Sequence, residues 1–285
     1  MMAWAVGGVA SGGACGRPSQ LPRPSPPSAE PASQTVRVAY GGAPQQFAEL
    51  RVPPAPGPHP IVVVLHGDLW RADQGSEVMV PVCEALAHDG IATWNVGYRR
   101  LGDPGGGWPN TFLDAGAATD HLRRVAEPHA LDLGRVVVLG HSAGGQLSLW
   151  LAGRRWIRDG ELLHPNPLRV RGAIALAGVV DLGRAWAMGV PGVAELMGGT
   201  PDEVPSRYDS ASPAELLPLG IPQVLVHGTE DRVVPAALSR DYCATAVRRG
   251  DEARLITLTG VGHDDLIDPR SSAWSTVRQA VLSLL

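Results

Sequence analysis

Arg135-Val136-Val137-Val138-Leu139-Gly140-His141-Ser142-Ala143-Gly144 is the stretch that decides how this chain folds. Its first half is an unbroken apolar, β-branched run, the pattern of a strand buried on both faces of a parallel sheet. Its second half fits G-x-S-x-G, and apolar residues recur at helical spacing from Ala143 to Arg154. A strand, a glycine-bounded turn and a helix in that order predict that Ser142 stands on a sharp elbow, its hydroxyl above the carboxyl ends of the strands. The bland alternative is a chance Gly-rich turn, which would not require a buried strand on one side and a helix on the other.

Outward from this point the chain alternates strand and helix. Ile61–Leu65, Ile91–Val96, Val170–Leu176, Pro222–His227 and Leu255–Leu258 read as further strands. Helical spacing runs through Glu77–Asp89, Asn110–Glu127, Ala236–Arg249 and Ser272–Leu284. The alternation predicts an α/β class, a mostly parallel doubly wound sheet. Before it, Thr35–Tyr40 and Gln46–Val52 alternate around Gly41-Gly42 and predict an antiparallel pair, with a turn over Pro53–Pro60. The pattern weakens over residues 181–217, which predicts a small cap inserted over the sheet. The folded domain is expected over 35–285. Residues 1–34, rich in Pro and Ser from Arg17 onward, are expected to form a tail.

Composition removes several functions. All 24 basic residues are arginine, so Schiff-base catalysis, a Walker lysine and a kinase ATP-binding lysine are excluded. The net charge of −4 and the absence of any basic run argue against a nucleic-acid partner. No HExxH or clustered His and Asp spacing is present, so neither metal nor cofactor is expected. Cys83 and Cys243 sit in apolar-periodic stretches and are expected as buried thiols. The small apolar start ending in Gly13-Ala14-Cys15 lacks the basic residues of a signal peptide, and no stretch is long enough to span a bilayer stably. A cytoplasmic protein is expected, with export as a lipoprotein anchored at Cys15 as the alternative.

A serine hydroxyl needs a base within hydrogen-bond reach and a carboxylate to orient that base. Two later strand ends supply both types. Gly228-Thr229-Glu230-Asp231 follows the strand ending at His227, and Gly260-Val261-Gly262-His263 follows the strand ending at Leu258. His263 is the expected base, since His121, His129, His141 and His227 do not combine a strand end with a Gly-rich loop. Asp231 is the expected acid, and Asp181, one strand earlier, competes for the role. The negative charge of a tetrahedral intermediate needs backbone donors. The N–H of Ala143 is one, and His66-Gly67-Asp68-Leu69-Trp70, after the strand Ile61–Leu65, is placed to give the second through Gly67, Asp68 or Leu69.

With these motifs in hand, the chain from Val36 to Leu285 resembles the α/β-hydrolase superfamily, and within it an esterase and kynurenine-formamidase-like branch carrying a His-Gly-Gly-x-Trp loop. His227 to Pro235 matches the family's His-Gly-x-x-Asp-x-x-Val-Pro pattern. The resemblance implies a serine hydrolase that cleaves a small-molecule ester or acyl amide through an acyl-enzyme. A formamidase or small peptide hydrolase is the nearer rival, and a non-catalytic binding protein of the same fold the more distant one. One departure stands out: Asp68 replaces the loop's second glycine, and its carboxylate is expected to turn outward, toward Arg71 or solvent. Trp70, Trp108 and His141 are expected at the substrate pocket, with Trp186 and Met188 completing it from the cap.

Overall fold

The computed structural model describes residues 1–9, 33–158 and 160–285. Residues 1–9 carry no helix or strand. Cys15 and most of the proposed tail lie outside the described residues.

Eight strands form one sheet in the order β1-β2-β4-β3-β5-β6-β7-β8. They are β1 (Gln34–Ala39), β2 (Phe47–Val52), β3 (His59–Leu65), β4 (Ala92–Val96), β5 (Leu131–His141), β6 (Gly172–Leu176), β7 (Gln223–Gly228) and β8 (Ala253–Leu258). The β1–β2 and β2–β4 pairs are antiparallel and the others parallel. The helices are α1 (Val80–His88), α2 (Asn110–Val125), α3 (Ala143–Gly153), α4 (Leu182–Ala187), α5 (Val193–Met197), α6 (Pro205–Ala211), α7 (Ala236–Arg248) and α8 (Trp274–Leu282). Among the described residues no helix is long and apolar enough to cross a membrane.

The unbroken apolar runs follow from burial on both faces. Ile61, Val63, Leu65, Val136 and Val138 point into one core, against Phe112, Leu147 and Trp150. Val62, Val64, Val137 and Leu139 alternate into the other, with Leu86, Val277 and Val281. A strand covered on one side only would show polar residues at every second position.

Three boundaries differ from the sequence reading for identifiable reasons. β5 starts at Leu131 and β3 at His59, because His59 pairs with Leu131 ahead of a register shift before Ile61. The expected turn therefore ends two residues earlier. The stretch after Gly75 opens as a 3-10 turn, Ser76–Met79, and becomes α-helical at Val80, where Pro81 sits in the first turn and needs no N–H partner. Where the cap is expected, the chain forms three short helices, α4, α5 and α6. Cys83 is buried as expected, its thiol pushed up to about 12 by burial, whereas Cys243 on α7 is only half-buried.

Candidate active site

Sheet register brings the candidate residues together. Leu65 pairs with Gly140, so the loop after β3 leaves the sheet beside the turn after β5. Gly228 pairs with Leu258, so the loops carrying Asp231 and His263 also leave side by side. Two further hydrogen bonds hold that second pair of loops, Thr229 N–H to Leu258 O at 2.9 Å and Glu230 N–H to Val261 O at 3.0 Å.

The turn at Ser142 is tight. Ser142 has φ 56° and ψ −119°, in the left-handed half of backbone space that non-glycine residues seldom enter. Its glycine neighbours are required by proximity. A Cβ on Gly140 would lie 1.9 Å from Gly144 O, and one on Gly144 would lie 2.2 Å from Leu65 O. Ser142 N–H donates to Leu176 O at 2.8 Å, which ties the elbow to β6. Ala143 opens α3, where a helix leaves its first N–H groups without intrahelical acceptors.

Asp231 and His263 are joined, with His263 Nδ1 2.7 Å from Asp231 Oδ2. A carboxylate only accepts, so Nδ1 carries a proton, and in the neutral ring Nε2 keeps the lone pair. The other oxygen, Oδ1, accepts from the N–H groups of Val233 and Val234 at 2.8 and 2.9 Å. Burial by itself would raise the Asp231 carboxyl. Hydrogen bonds from His227, His263 and Val234 outweigh it and hold the group well below the usual carboxylate range.

Ser142 and His263 line one cleft of about 250 Å³ with Gly67, Asp68, Leu69, Gln74, Val78, His141, Val233, Asp264 and Ile267. Gly67 presses against the serine: a Cβ there would lie 2.9 Å from Ser142 Cβ. Asp68, Leu69 and Trp70 take φ values of 75°, 48° and 58°, so the loop makes a left-handed turn over the elbow. The Asp68 carboxylate accepts from Gln74 N–H at 3.0 Å rather than facing Arg71, whose guanidinium pairs with Glu195 at 2.9 Å. Desolvation raises the Asp68 carboxyl.

The aromatic wall expected from the sequence does not form. Trp70 is fully buried, and its Nε1 donates to Gln146 Oε1 at 3.2 Å while Gln146 Nε2 donates to Ala211 O at 2.9 Å. It fastens the loop to α3 and α6. Trp108 packs edge-on to Phe112, donates to Glu161 and lies under Arg207. Trp186 in α4 and Met188 at its end are exposed and do not line the cleft. Asp181 is occupied in capping α4, accepting from Arg184 N–H at 3.0 Å. His141 does reach the cleft. Its Nε2 is 3.1 Å from His263 O, and burial, helped by the neighbouring His263, lowers it to about 3.

His141, His263 and Asp264 bring possible metal-ligand atoms within 4.8 Å of one another. One nitrogen of each histidine is already engaged, by His263 O and by Asp231 respectively, and the cluster reads as a hydrogen-bonded array. A larger cavity of about 440 Å³, lined by Phe112, Asp120, Trp150 and Arg154 among others, shares no residue with the cleft. The sequence reading missed Val78, Val233 and Ile267, apolar residues whose place in the cleft no motif signals, and His227, which i,i+4 spacing to Asp231 could have flagged.

The sheet order and the elbow after β5 define an α/β-hydrolase fold. The BD-FAE family model matches residues 50–245, and the chain belongs to that family. It is 28% identical over 253 residues to Esterase LipC of Mycobacterium tuberculosis, covering 81% of this chain and 60% of that one. It is 23% identical over 246 residues to a probable isoprenylcysteine alpha-carbonyl methylesterase, ICMEL1, of Arabidopsis thaliana, covering 80% and 50%. The chain thus spans half to about three fifths of the length of these curated relatives. Among solved structures it resembles a truncated carbohydrate esterase from gut microbiota, with TM-score 0.76 and 19% identity, covering 89% of this chain and 96% of that one. It also resembles the propionate-bound esterase Est2 of Thermogutta terrifontis, with TM-score 0.69 and 22% identity, covering 90% and 93%.

Proposed function

We propose that the protein is a serine hydrolase of small carboxylic esters that needs no cofactor. The observation that carries this reading is the 2.7 Å Asp231–His263 pair opening onto the same cleft as Ser142 on its strained elbow. His263 Nε2 takes the Ser142 proton as the hydroxyl attacks the ester carbonyl. The N–H of Ala143 and a second N–H from the Gly67–Asp68 turn hold the oxyanion. The protonated His263 then gives its proton to the leaving alcohol, and an acyl-enzyme remains. Water, activated by the same imidazole, frees the acid, while Asp231 keeps the Nδ1–H tautomer and offsets the positive charge.

The names of the relatives, all esterases, support ester over amide, and the roughly 250 Å³ cleft supports a short acyl group. Asp68 is the one feature that favours a non-catalytic binding protein, because a carboxylate at this turn opposes a developing oxyanion. Its tether to Gln74 N–H answers that objection by directing the charge along the loop.

Hydrolysis of p-nitrophenyl esters from acetate to decanoate, alongside N-formylkynurenine, by the wild type and by Ser142→Ala tests the reading. Short esters should be preferred, and both turnover and labelling by a fluorophosphonate should vanish in the variant. Preference for N-formylkynurenine would move the assignment to a formamidase. A folded wild type that neither turns over nor takes the label would leave the binding-protein reading.

A further inference from the structure

His227, the penultimate residue of β7, is 1% exposed and has no part in the reaction just described. Both of its ring nitrogens are engaged. Nδ1 lies 2.8 Å from Ser239 Oγ, and Nε2 lies 3.0 Å from Val234 O and 3.2 Å from Asp231 Oδ2. A carbonyl and an ionised carboxylate are acceptors only, so the nitrogen that faces both must carry hydrogen. Nε2 therefore carries hydrogen, and in the neutral ring Nδ1 accepts from the Ser239 hydroxyl.

Asp231 Oδ2 consequently lies between two imidazoles, Nδ1–H of His263 on the cleft side and Nε2–H of His227 on the core side. The outer arm opens on the cleft that Ser142 also lines. The inner arm ends at Ser239, which is fully buried and out of reach of a substrate. We infer that His227 is a positioning residue for the proposed reaction, holding the Asp231 carboxylate at the angle from which it orients His263. The loop is built around this contact. Residues 231–234 wrap the ring so that Val234 gives its N–H to Asp231 Oδ1 and its carbonyl to His227 Nε2.

The second donor has a chemical consequence. Each hydrogen bond to a carboxylate disperses its charge and makes it less basic. With His227 in place, Asp231 is held at a fixed angle and draws less positive charge onto the His263 ring. Without the donor, Asp231 is more basic and freer to rotate, so the acid limb of kcat/KM moves upward.

The inference rests on the triad reading above, and its test separates the two. His227→Leu removes the donor and keeps an apolar volume, and His227→Gln returns an N–H near the Nε2 position. Each is assayed for kcat/KM against pH on p-nitrophenyl acetate, and the tautomer of the His227 ring is read in ¹⁵N-histidine-labelled protein. The leucine variant should raise the acid limb of kcat/KM by about half a unit or more, with kcat down roughly tenfold, and glutamine should restore the limb. A folded leucine variant with an unmoved limb would make His227 structural only and overturn the proposal. The wild-type ¹⁵N shifts decide independently of any variant's folding: His227 must be the Nε2–H tautomer, and an Nδ1–H ring refutes the inference. If the wild type hydrolyses nothing, the hydrolase reading fails, while the tautomer still judges His227.

Discussion

The buried histidines make stability fall as pH drops below neutrality, and His66 is where this is cleanest to measure. His66 is 1% exposed, stacks on Tyr98 at 4.3 Å, and has an Nε2 without a hydrogen-bond partner. Burial, reinforced by the nearby Arg100 guanidinium, lowers it to about 4, and His141 is lowered to about 3. An unfolded histidine titrates near 6.5, so between that value and the folded values the unfolded chain binds more protons than the native one. Stability is then present in full above pH 6.5 and declines below it, by about 1.4 kcal/mol per pH unit for each such group. At pH 5 each of the two rings has removed about 2 kcal/mol, together on the order of 4 kcal/mol relative to pH 8. Asp231 is a depressed carboxyl, whose contribution is present above the ordinary carboxylate range and is lost only as pH falls from that range through its own lower value. Phenylalanine at position 66 keeps the stack on Tyr98 and removes the titration. Urea unfolding of the wild type and of His66→Phe at pH 8 and pH 5 gives the two differences. The variant should lose about half of what the wild type loses, roughly 2 kcal/mol less. Equal losses in both proteins would refute the idea that a neutral buried His66 sets this dependence.

Three further outcomes are expected. Asp231→Asn should leave the fold intact and lower kcat by about 10³- to 10⁴-fold on p-nitrophenyl acetate, because an amide no longer enforces the Nδ1–H tautomer; a loss below tenfold would point to another acid. Gly144→Ala should prevent the elbow from closing, since its Cβ would meet backbone oxygens of Leu65 and His66 at 2.2 and 2.4 Å, and thermal unfolding should show a lower Tm together with lost activity. Asp68 and Asp264 both line the cleft and no arginine does, so Asp68→Asn should raise kcat/KM for a carboxylate-bearing ester relative to its neutral isostere by on the order of fivefold at low salt, an effect that added salt diminishes.

The strands and the elbow were legible in the sequence because each rests on a local signal. A β-branched run can bury both faces only inside a covered parallel sheet, and Gly140 and Gly144 stand where any side chain would strike backbone. That Ser142, Asp231 and His263 stand at one edge of the sheet was legible for a related reason: each follows an apolar strand, and a parallel sheet delivers all such ends to one edge. What the tertiary structure alone decided was direction and competition. Trp70 and Trp108 lie near the cleft in sequence terms, yet Gln146, Phe112 and Glu161 draw them into packing. Asp181 and Asp231 both follow strands, and only the second meets an imidazole, because α4 consumes the first as its cap. His227 ends a strand like any core residue until the fold wraps residues 231–234 around it and sets its Nε2 on the shared carboxylate. Periodicity and turn chemistry determine which elements form, since those depend on neighbours in the chain. Which side chain satisfies which buried donor or acceptor depends on partners dozens of residues away, and only the folded chain chooses among them.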